Sequence, residues 1–408
     1  MTEKVADHEA LPRLGPEFAL DPYPVYRRLR ESGPVQRVVG HDGVVQWIVT
    51  RYDDVKRLLV DPRMSSALTK VLDPGLADGQ KRFRIDETLQ NAMTNHDPPE
   101  HTRIRKTVVR AFSARRVEAM RPRVQELTDT LLDAMDGEER VDLIEKLATP
   151  VPVAVSCEIL GVPVEDRPFF NTQMDDLMGA GTAEEKRAPA KALTSYMAEQ
   201  VAIKRASRGD DVLSAMIEAS EEEGRLTDGE LVGGAVQLLF AGYLTTIYAI
   251  GAGAYRLLKH PEQLAELRRD PGLLPKAVEE LLRFDGPVIP GILRYAKEDV
   301  EVGGTTIPAH SLVVLSLTAA NRDPDRFPEP DRLDIHREDT DHVAFGGGIH
   351  YCIGARLATI ETEVVLGSLI RRFPRLELAV PDSELRWELK SFARHIAELP
   401  VFPHGAKG

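Results

Sequence analysis

A mainly α-helical fold with a minor β part is what this 408-residue chain predicts. Three observations carry that expectation. Across residues 53–280 apolar side chains recur with helical spacing, interrupted by Pro and Gly. Two short regions rich in β-branched residues flank that body, near residues 35–50 and 300–317. Neither a fixed-period repeat nor a low-complexity linker divides the chain, so residues 1–408 read as one domain.

The elements follow in order. Residues 1–15 carry no pattern and are expected to be loosely ordered. Asp21-Pro22-Tyr23-Pro24 opens a short helix that stops before Gly33. The runs 35–39 and 44–50 flank His41-Asp42-Gly43, a hairpin turn with glycine at its end. Thr227-Asp228-Gly229-Glu230 has the spacing of a capping box, and the apolar pattern behind it runs to His260, just before Pro261. At 1.5 Å per residue that helix is roughly 50 Å long, enough to cross the molecule. Gly233, Gly234, Gly242, Gly251 and Gly253 each cost about 1 kcal/mol there relative to Ala, so close packing or a local opening is expected. Residues 300–308 and 311–317 read as a second small sheet, and a Pro/Asp-rich meander over 321–334 leads to a glycine-rich loop and a helical stretch, 355–371.

Composition narrows the function classes. Hydrophobic residues make up 42% and charged residues 29%, as in an ordinary soluble globular protein. A formal charge of −13 argues against nucleic acid or an anionic membrane as partner. Two cysteines cannot build a disulfide framework; Cys157 lies in an apolar segment and reads as core. The first residues have no apolar signal region, and the most apolar helix contains Gln237 and Arg256, so the chain is expected to be cytoplasmic, with no membrane segment.

Phe345-Gly346-Gly347-Gly348-Ile349-His350-Tyr351-Cys352-Ile353-Gly354 is the most informative run. It sets one cysteine on a glycine-rich loop at the start of a helix, where free N–H groups and the helix dipole favour a thiolate. A thiolate so held suits the axial position of haem iron, and the glycines let backbone approach a flat macrocycle. Phe345, Gly348, His350, Cys352 and Gly354 match the haem-binding signature of the cytochrome P-450 monooxygenases, and the chain resembles the soluble bacterial, actinobacterial-type members over about residues 20–403.

That resemblance implies the P-450 fold, with haem b between the long central helix and the helix after the cysteine loop, and Cys352 as metal ligand. Ala241-Gly242-Tyr243-Leu244-Thr245-Thr246 aligns with the family's oxygen-binding motif, which makes Thr245 and Thr246 the candidates for proton delivery. A mid-helix Thr also bonds its own i−4 carbonyl. Leu244 stands where the family has an acid and cannot relay protons. Hydroxylation or epoxidation, with proton delivery rebuilt from the threonines, ordered water or a substrate hydroxyl, is the expected chemistry; because Leu244 replaces the acid, oxidative coupling, ring closure or desaturation is the alternative, and a non-catalytic haem ligand-binding or gas-sensing protein a third. By the same resemblance His101, Arg105, Arg294 and His350 contact the haem propionates, which suits arginine's planar fork. Glu280, Arg283 and Arg332 form a supporting triad for the cysteine loop.

Electrons are implied to come from NAD(P)H through a ferredoxin reductase and a ferredoxin. A basic cluster, Arg103, Lys106, Arg110, Arg115 and Arg116, would dock that acidic ferredoxin or be satisfied within the chain. Met93, Thr94, Ala241, Leu244, Val288, Ile289 and Phe392, with the 89–94 and 169–181 segments, would line the pocket for a medium or large hydrophobic natural product: a polyketide or macrolide, a terpene or a peptide. O2 is the co-substrate, and a monomer is expected.

Overall fold

A computed structural model of the chain describes residues 11–40, 43–67, 90–179, 182, 184–224, 226–390 and 393–406. The described helices are α1 (Pro16–Leu20), α2 (Tyr23–Ser32), α3 (Tyr52–Leu58), α4 (Glu100–Ala111), α5 (Ala114–Ala119), α6 (Arg121–Met135), α7 (Pro150–Leu160), α8 (Arg167–Met178), α9 (Arg187–Ala206), α10 (Val212–Glu223), α11 (Asp228–Lys259), α12 (Pro261–Arg269), α13 (Leu274–Phe284), α14 (Leu317–Ala320) and α15 (Ala355–Arg372). The strands are β1 (Val35–Val39), β2 (Val45–Val49), β3 (Met64–Ser65), β4 (Val141–Asp142), β5 (Ile292–Ala296), β6 (Val300–Val302), β7 (Thr305–Ile307), β8 (Leu312–Leu315), β9 (Glu377–Leu378), β10 (Trp387–Lys390), β11 (Ala393–Ile396) and β12 (Pro400–Phe402).

Helix α11 is the axis of the helical body. Thr227 and Glu230 close the expected capping box: the Thr227 side chain accepts from the Glu230 N–H, and the Glu230 carboxylate accepts from the Thr227 N–H at 2.8 Å. Its glycines serve packing. A Cβ on Gly242 would lie 2.9 Å from Ser156 Oγ of α7, and one on Gly253 would lie 2.9 Å from Leu366 Cδ1 of α15. Neighbouring helices thus approach α11 more closely than any larger residue allows. By length and hydropathy α11 could cross a membrane, but 67% of its most apolar window is buried against the rest of the protein.

Five strands form the main sheet in the order β1-β2-β8-β5-β3, with β8 parallel to β2 and the other pairs antiparallel. Only β6 and β7 form the separate hairpin expected near residue 300. The 311–317 run therefore joins the first hairpin and belongs to no second sheet. Every side chain of β8 is buried, as a central strand requires, and Leu317 already begins α14.

The expectation of a loose start fails for residues 11–15. Leu14 is buried, its N–H donates to Val39 O at 2.9 Å, and the Val39 N–H donates to Pro12 O at 2.9 Å. Residues 1–10 lie outside the described set.

A buried carboxylate ties distant segments together. Asp285, just after α13, accepts from Tyr23 Oη of α2 at 2.6 Å and from Arg256 Nε of α11 at 2.7 Å. Arg394 Nη1 of β11 reaches the same carboxylate at 3.3 Å. Burial pushes this acid up, but Arg256, Arg394 and the Tyr23 hydroxyl outweigh it and hold Asp285 at about 2.

Candidate active site

The cysteine loop is shaped by two left-handed glycines, Gly346 (φ 72°) and Gly348 (φ 62°). At Gly348 any Cβ would lie 2.8 Å from Val60 Cγ1 and 3.1 Å from Leu59 O, so only glycine fits. The Cys352 N–H donates to Phe345 O at 3.0 Å, closing the loop over its own start. Gly354 then precedes α15. The Cys352 side chain is exposed, yet enough protein surrounds it that desolvation raises its thiol above the ordinary range; the N–H groups of Gly354 and Ala355 and the Arg105 guanidinium pull the other way. The helix-end pull read from the sequence is present but outweighed. Cys157, by contrast, is plain core, its thiol pushed by burial up to about 11.

Beside this loop lies a set of cationic and imidazole groups with little to neutralise or satisfy them. His101 and Arg105 share one face of α4, four residues apart. His101 is buried, both its ring nitrogens are without a hydrogen-bond partner among the described residues, and its ring centroid is 4.1 Å from that of His350. Arg105 Nη2 donates to Tyr351 O of the cysteine loop at 2.7 Å. Arg294, on β5, is 6% exposed and spends Nη1 on the neighbouring Leu293 carbonyl at 2.9 Å. Desolvation lowers Arg294 to about 10 against the weaker support of Asp97. Burial first, with Arg105 second, takes His101 to about 4; burial, then Arg294 and His101, takes His350 to about 3. Orphaned ring nitrogens beside a buried guanidinium are what an incoming dicarboxylate satisfies, so these residues fit the propionates of a haem.

Sequence reasoning missed the groups that hold this cradle. Asp97 accepts from Ser65 Oγ at 2.6 Å and from the Ser66 N–H at 2.9 Å, and Ser66 Oγ lies 3.1 Å from His350 Nε2. The Asp97-Pro98-Pro99 run before α4 was the available signal.

On α11, Ala241 is exposed and Gln237, Leu238, Phe240, Gly242 and Thr245 are half-buried, so the middle of a mostly buried helix is open, with its most exposed residue at Ala241. Thr245 Oγ1 donates to Ala241 O at 2.7 Å, the i−4 bond anticipated from the sequence. Thr246 is buried. Leu244 is 4% exposed and packs in the main hydrophobic core, so it does not wall an open pocket.

The other pocket candidates divide. Thr94 is exposed in the middle of a 3-10 turn, Met93–Asn95, that packs on α11, whereas Met93 itself is buried in the core. Val288 is half-buried and pairs with Ala393. Ile289 is fully buried with Leu14, Phe18 and Val25 in a separate cluster and is removed from the lining; adjacent extended residues point to opposite faces. Phe392, Leu89, Ala180 and Gly181 lie outside the described residues.

Glu280 and Arg283 are an i,i+3 pair on α13 and both are buried. Arg283 Nε lies 2.6 Å from Glu280 Oε2, and Nη2 lies 2.8 Å from Oε1. The third arginine is not Arg332. That side chain is exposed and pairs with Glu329 and Asp334. Arg337 takes the place, its Nε 3.2 Å from Glu280 Oε2 and its side chain 9% exposed. Arg332 contributes only its carbonyl, which accepts from Arg283 and Arg337.

Three of the five residues of the basic cluster form ion pairs within the chain. Arg103 pairs with Glu230, Arg110 with Glu222 at 2.8 Å and Arg116 with Asp210 at 2.8 Å. Exposed apolar side chains, Val60, Val109, Ile349 and Tyr351, lie on the cysteine loop or on elements beside it.

Known proteins agree with this geometry. A family profile described as Cytochrome P450 matches residues 166–271 and 272–397. The chain is 44% identical over 389 residues to Cytochrome P450 107B1 of Saccharopolyspora erythraea, covering 95% of this chain and 96% of that protein. It is 43% identical to the Cytochrome P450 monooxygenase PikC of Streptomyces venezuelae, covering 95% and 92%. Among solved structures, a myxobacterial cytochrome P450, CYP267B1, in complex with myristic acid superposes with a TM-score of 0.89 at 38% identity, covering 96% and 98%.

Proposed function

The chain belongs to the cytochrome P450 family, and from that premise we propose that it inserts one atom of O2 into a medium or large hydrophobic natural product, by hydroxylation or epoxidation. One observation carries the reading: a cysteine loop and an unsatisfied His/Arg cradle are held side by side, where they would hold a haem between α11 and α15. Haem with a cysteine thiolate supplies the oxygen-activating chemistry, and Cys352 is its ligand in this reading. His101, Arg105, Arg294 and His350 hold the propionates, while Phe345 and Gly354 frame the ligand loop. Glu280, Arg283 and Arg337 fix the meander that leads into that loop, through the carbonyls of Asn321, Pro330 and Pro328 and the Asp334 N–H.

Thr245 Oγ1 is the group we assign to proton delivery, with Thr246 beside it. At rest its proton is committed to Ala241 O at 2.7 Å, so a rotation about χ1 frees it. Ala241, Val288 and Thr94 are the lining residues this reading retains. Electrons arrive from NAD(P)H through a ferredoxin reductase and a ferredoxin, in a cytoplasmic monomer. A polyketide, macrolide, terpene or peptide is the substrate class that the resemblance to soluble bacterial members implies.

Two spectroscopic experiments test this. The ferrous carbon monoxide adduct must show a thiolate-ligated haem, and Cys352→Ala must lose it. A panel of such natural products must include one that shifts the Soret band and yields an oxygenated product dependent on NADPH. A second reading, oxidative coupling, ring closure or desaturation, is favoured by the buried leucine at the acid's place. Product carrying an oxygen atom from O2, formed in proportion to NADPH consumed, rejects it.

A further inference from the structure

Gln237 stands on α11 one turn before Ala241 and two turns before Thr245. At about 100° per residue the three fall within roughly 80° of one another, on a single strip of the helix. They are the half-buried or exposed residues of that strip, and buried Val236, Leu239 and Tyr243 occupy the opposite side. Buried Leu244 closes one edge. The ends of α11 are covered: Asn91 comes close to Gly229 near its start, and Leu366 of α15 packs on Gly253 towards its end. The strip opens between those two contacts.

A glutamine is the odd member of this wall. Its neighbours Leu238, Phe240 and Ala241 are apolar. Among the described residues its amide has no hydrogen-bond partner. An amide offers two donors and one acceptor, and a molecule that strips water from it must replace those bonds or lose affinity. Sites built to hydrogen-bond a ligand oxygen reject analogues that lack it far better than apolar pockets reject an extra methylene.

We propose that Gln237 is a specificity-determining residue that hydrogen-bonds an oxygen of the substrate, a ring ketone, ester carbonyl or hydroxyl. Helical rise separates it from Thr245 by about 12 Å along the axis. The substrate class is then narrower than a hydrophobe: an oxygenated one, whose anchor oxygen lies on the order of 10 Å from the carbon presented at Thr245. This rests on the reading of the open α11 strip as the substrate wall beside the haem.

The test needs no natural substrate. N-alkylimidazoles of graded chain length bind ferric haem through nitrogen and red-shift the Soret band, and each is compared with its ω-hydroxyl twin on the wild-type holoenzyme and on Gln237→Leu. At one or more lengths the ratio of hydroxyl to methyl dissociation constants is expected to change by about fivefold or more on substitution, as loss of one hydrogen bond requires. A ratio that stays within about twofold at every length, in proteins that both give the ferrous–carbonyl spectrum of a thiolate-ligated haem, overturns the proposal. Absence of that spectrum from the wild type overturns the haem reading itself. Should Gln237→Leu lose haem, the near-isosteric Gln237→Met serves under the same criteria.

Discussion

The Arg337 guanidinium lies 3.2 Å from the Glu280 carboxylate, which Arg283 already holds at 2.6 Å. Glu280 and Arg283 are essentially inaccessible, and Arg337 nearly so, so this is one buried acid shared by two cations. Removing a partner from such a pair costs about 3–5 kcal/mol because a desolvated charge is left behind. Arg283→Ala and Arg337→Ala should therefore both lose haem content on purification and shift the denaturation midpoint strongly. Arg332→Ala should stay within about 0.5 kcal/mol of wild type, since its side chain is an exposed surface partner. Equal losses for Arg332 and Arg337 would contradict the assignment.

The cradle yields a second prediction. Arg294 and His101 are buried with bonding capacity to spare, so each should contribute a charge-assisted bond of about 1.5–3 kcal/mol to haem retention. Arg294→Leu and His101→Phe are each expected to speed transfer of haem to apomyoglobin by roughly tenfold or more, with the thiolate-type carbonyl spectrum intact in whatever haem remains. Ser66→Ala, which removes only the His350 contact at 3.1 Å, should have a smaller effect in the same assay.

Asp285 gives a pH dependence with a definite sign. Its folded value, about 2, lies below the ordinary 3.8, so its stabilisation is fully present above about pH 4 and fades as pH falls through about 2. The gap of nearly two units corresponds to about 2 kcal/mol. Asp285→Asn should thus be destabilised by a constant amount between pH 7 and pH 5, measured by urea midpoints, and the gap to wild type should narrow below about pH 4. A gap that widens on acidification would mean the carboxylate is not the partner of Arg256 and Arg394.

How much of this was legible in the sequence depends on how local each feature is. The cysteine loop is contiguous, and its glycines have one steric reason to exist. The Glu280–Arg283 pair is set by helical spacing, as is the Thr227–Glu230 cap. The third arginine was not legible, because a meander has no period and two arginines five residues apart are equivalent candidates until the chain is folded. Ile289 failed for a related reason: a one-residue error in an extended segment moves a side chain to the opposite face. The Asp285 cluster joins residues 262 positions apart in the case of Tyr23, and no spacing rule reaches that far.

On the proposed ferredoxin route, docking should depend only weakly on salt. Arg103, Arg110 and Arg116 are already paired with Glu230, Glu222 and Asp210, so little net field remains from them to steer an acidic ferredoxin. Exposed Ile349 and Tyr351 on the cysteine loop offer an apolar contact instead. The rate of reduction by ferredoxin should fall by less than about threefold between low and physiological salt, whereas Tyr351→Ser should slow it at every salt concentration. A rate that drops by an order of magnitude with salt would restore charge steering.

Leu244→Glu is the natural attempt to rebuild the missing proton relay, and the structure predicts that it fails. Leu244 is 4% exposed within the main apolar core, and the side chains flanking it on α11, Tyr243 and Ile247, are themselves buried. A carboxyl placed there must remain neutral or pay desolvation, at a cost of several kcal/mol, and in the neutral form it holds its proton at pH 7. The variant is expected to lose stability without tightening the coupling of NADPH oxidation to product. Thr245→Ala acts on the open strip, where it removes the hydroxyl bonded to Ala241 O but leaves the core intact. It should keep the wild-type denaturation midpoint to within about 1 kcal/mol while most NADPH consumption becomes uncoupled. Improved coupling in Leu244→Glu, or full coupling in Thr245→Ala, would move proton delivery away from Thr245.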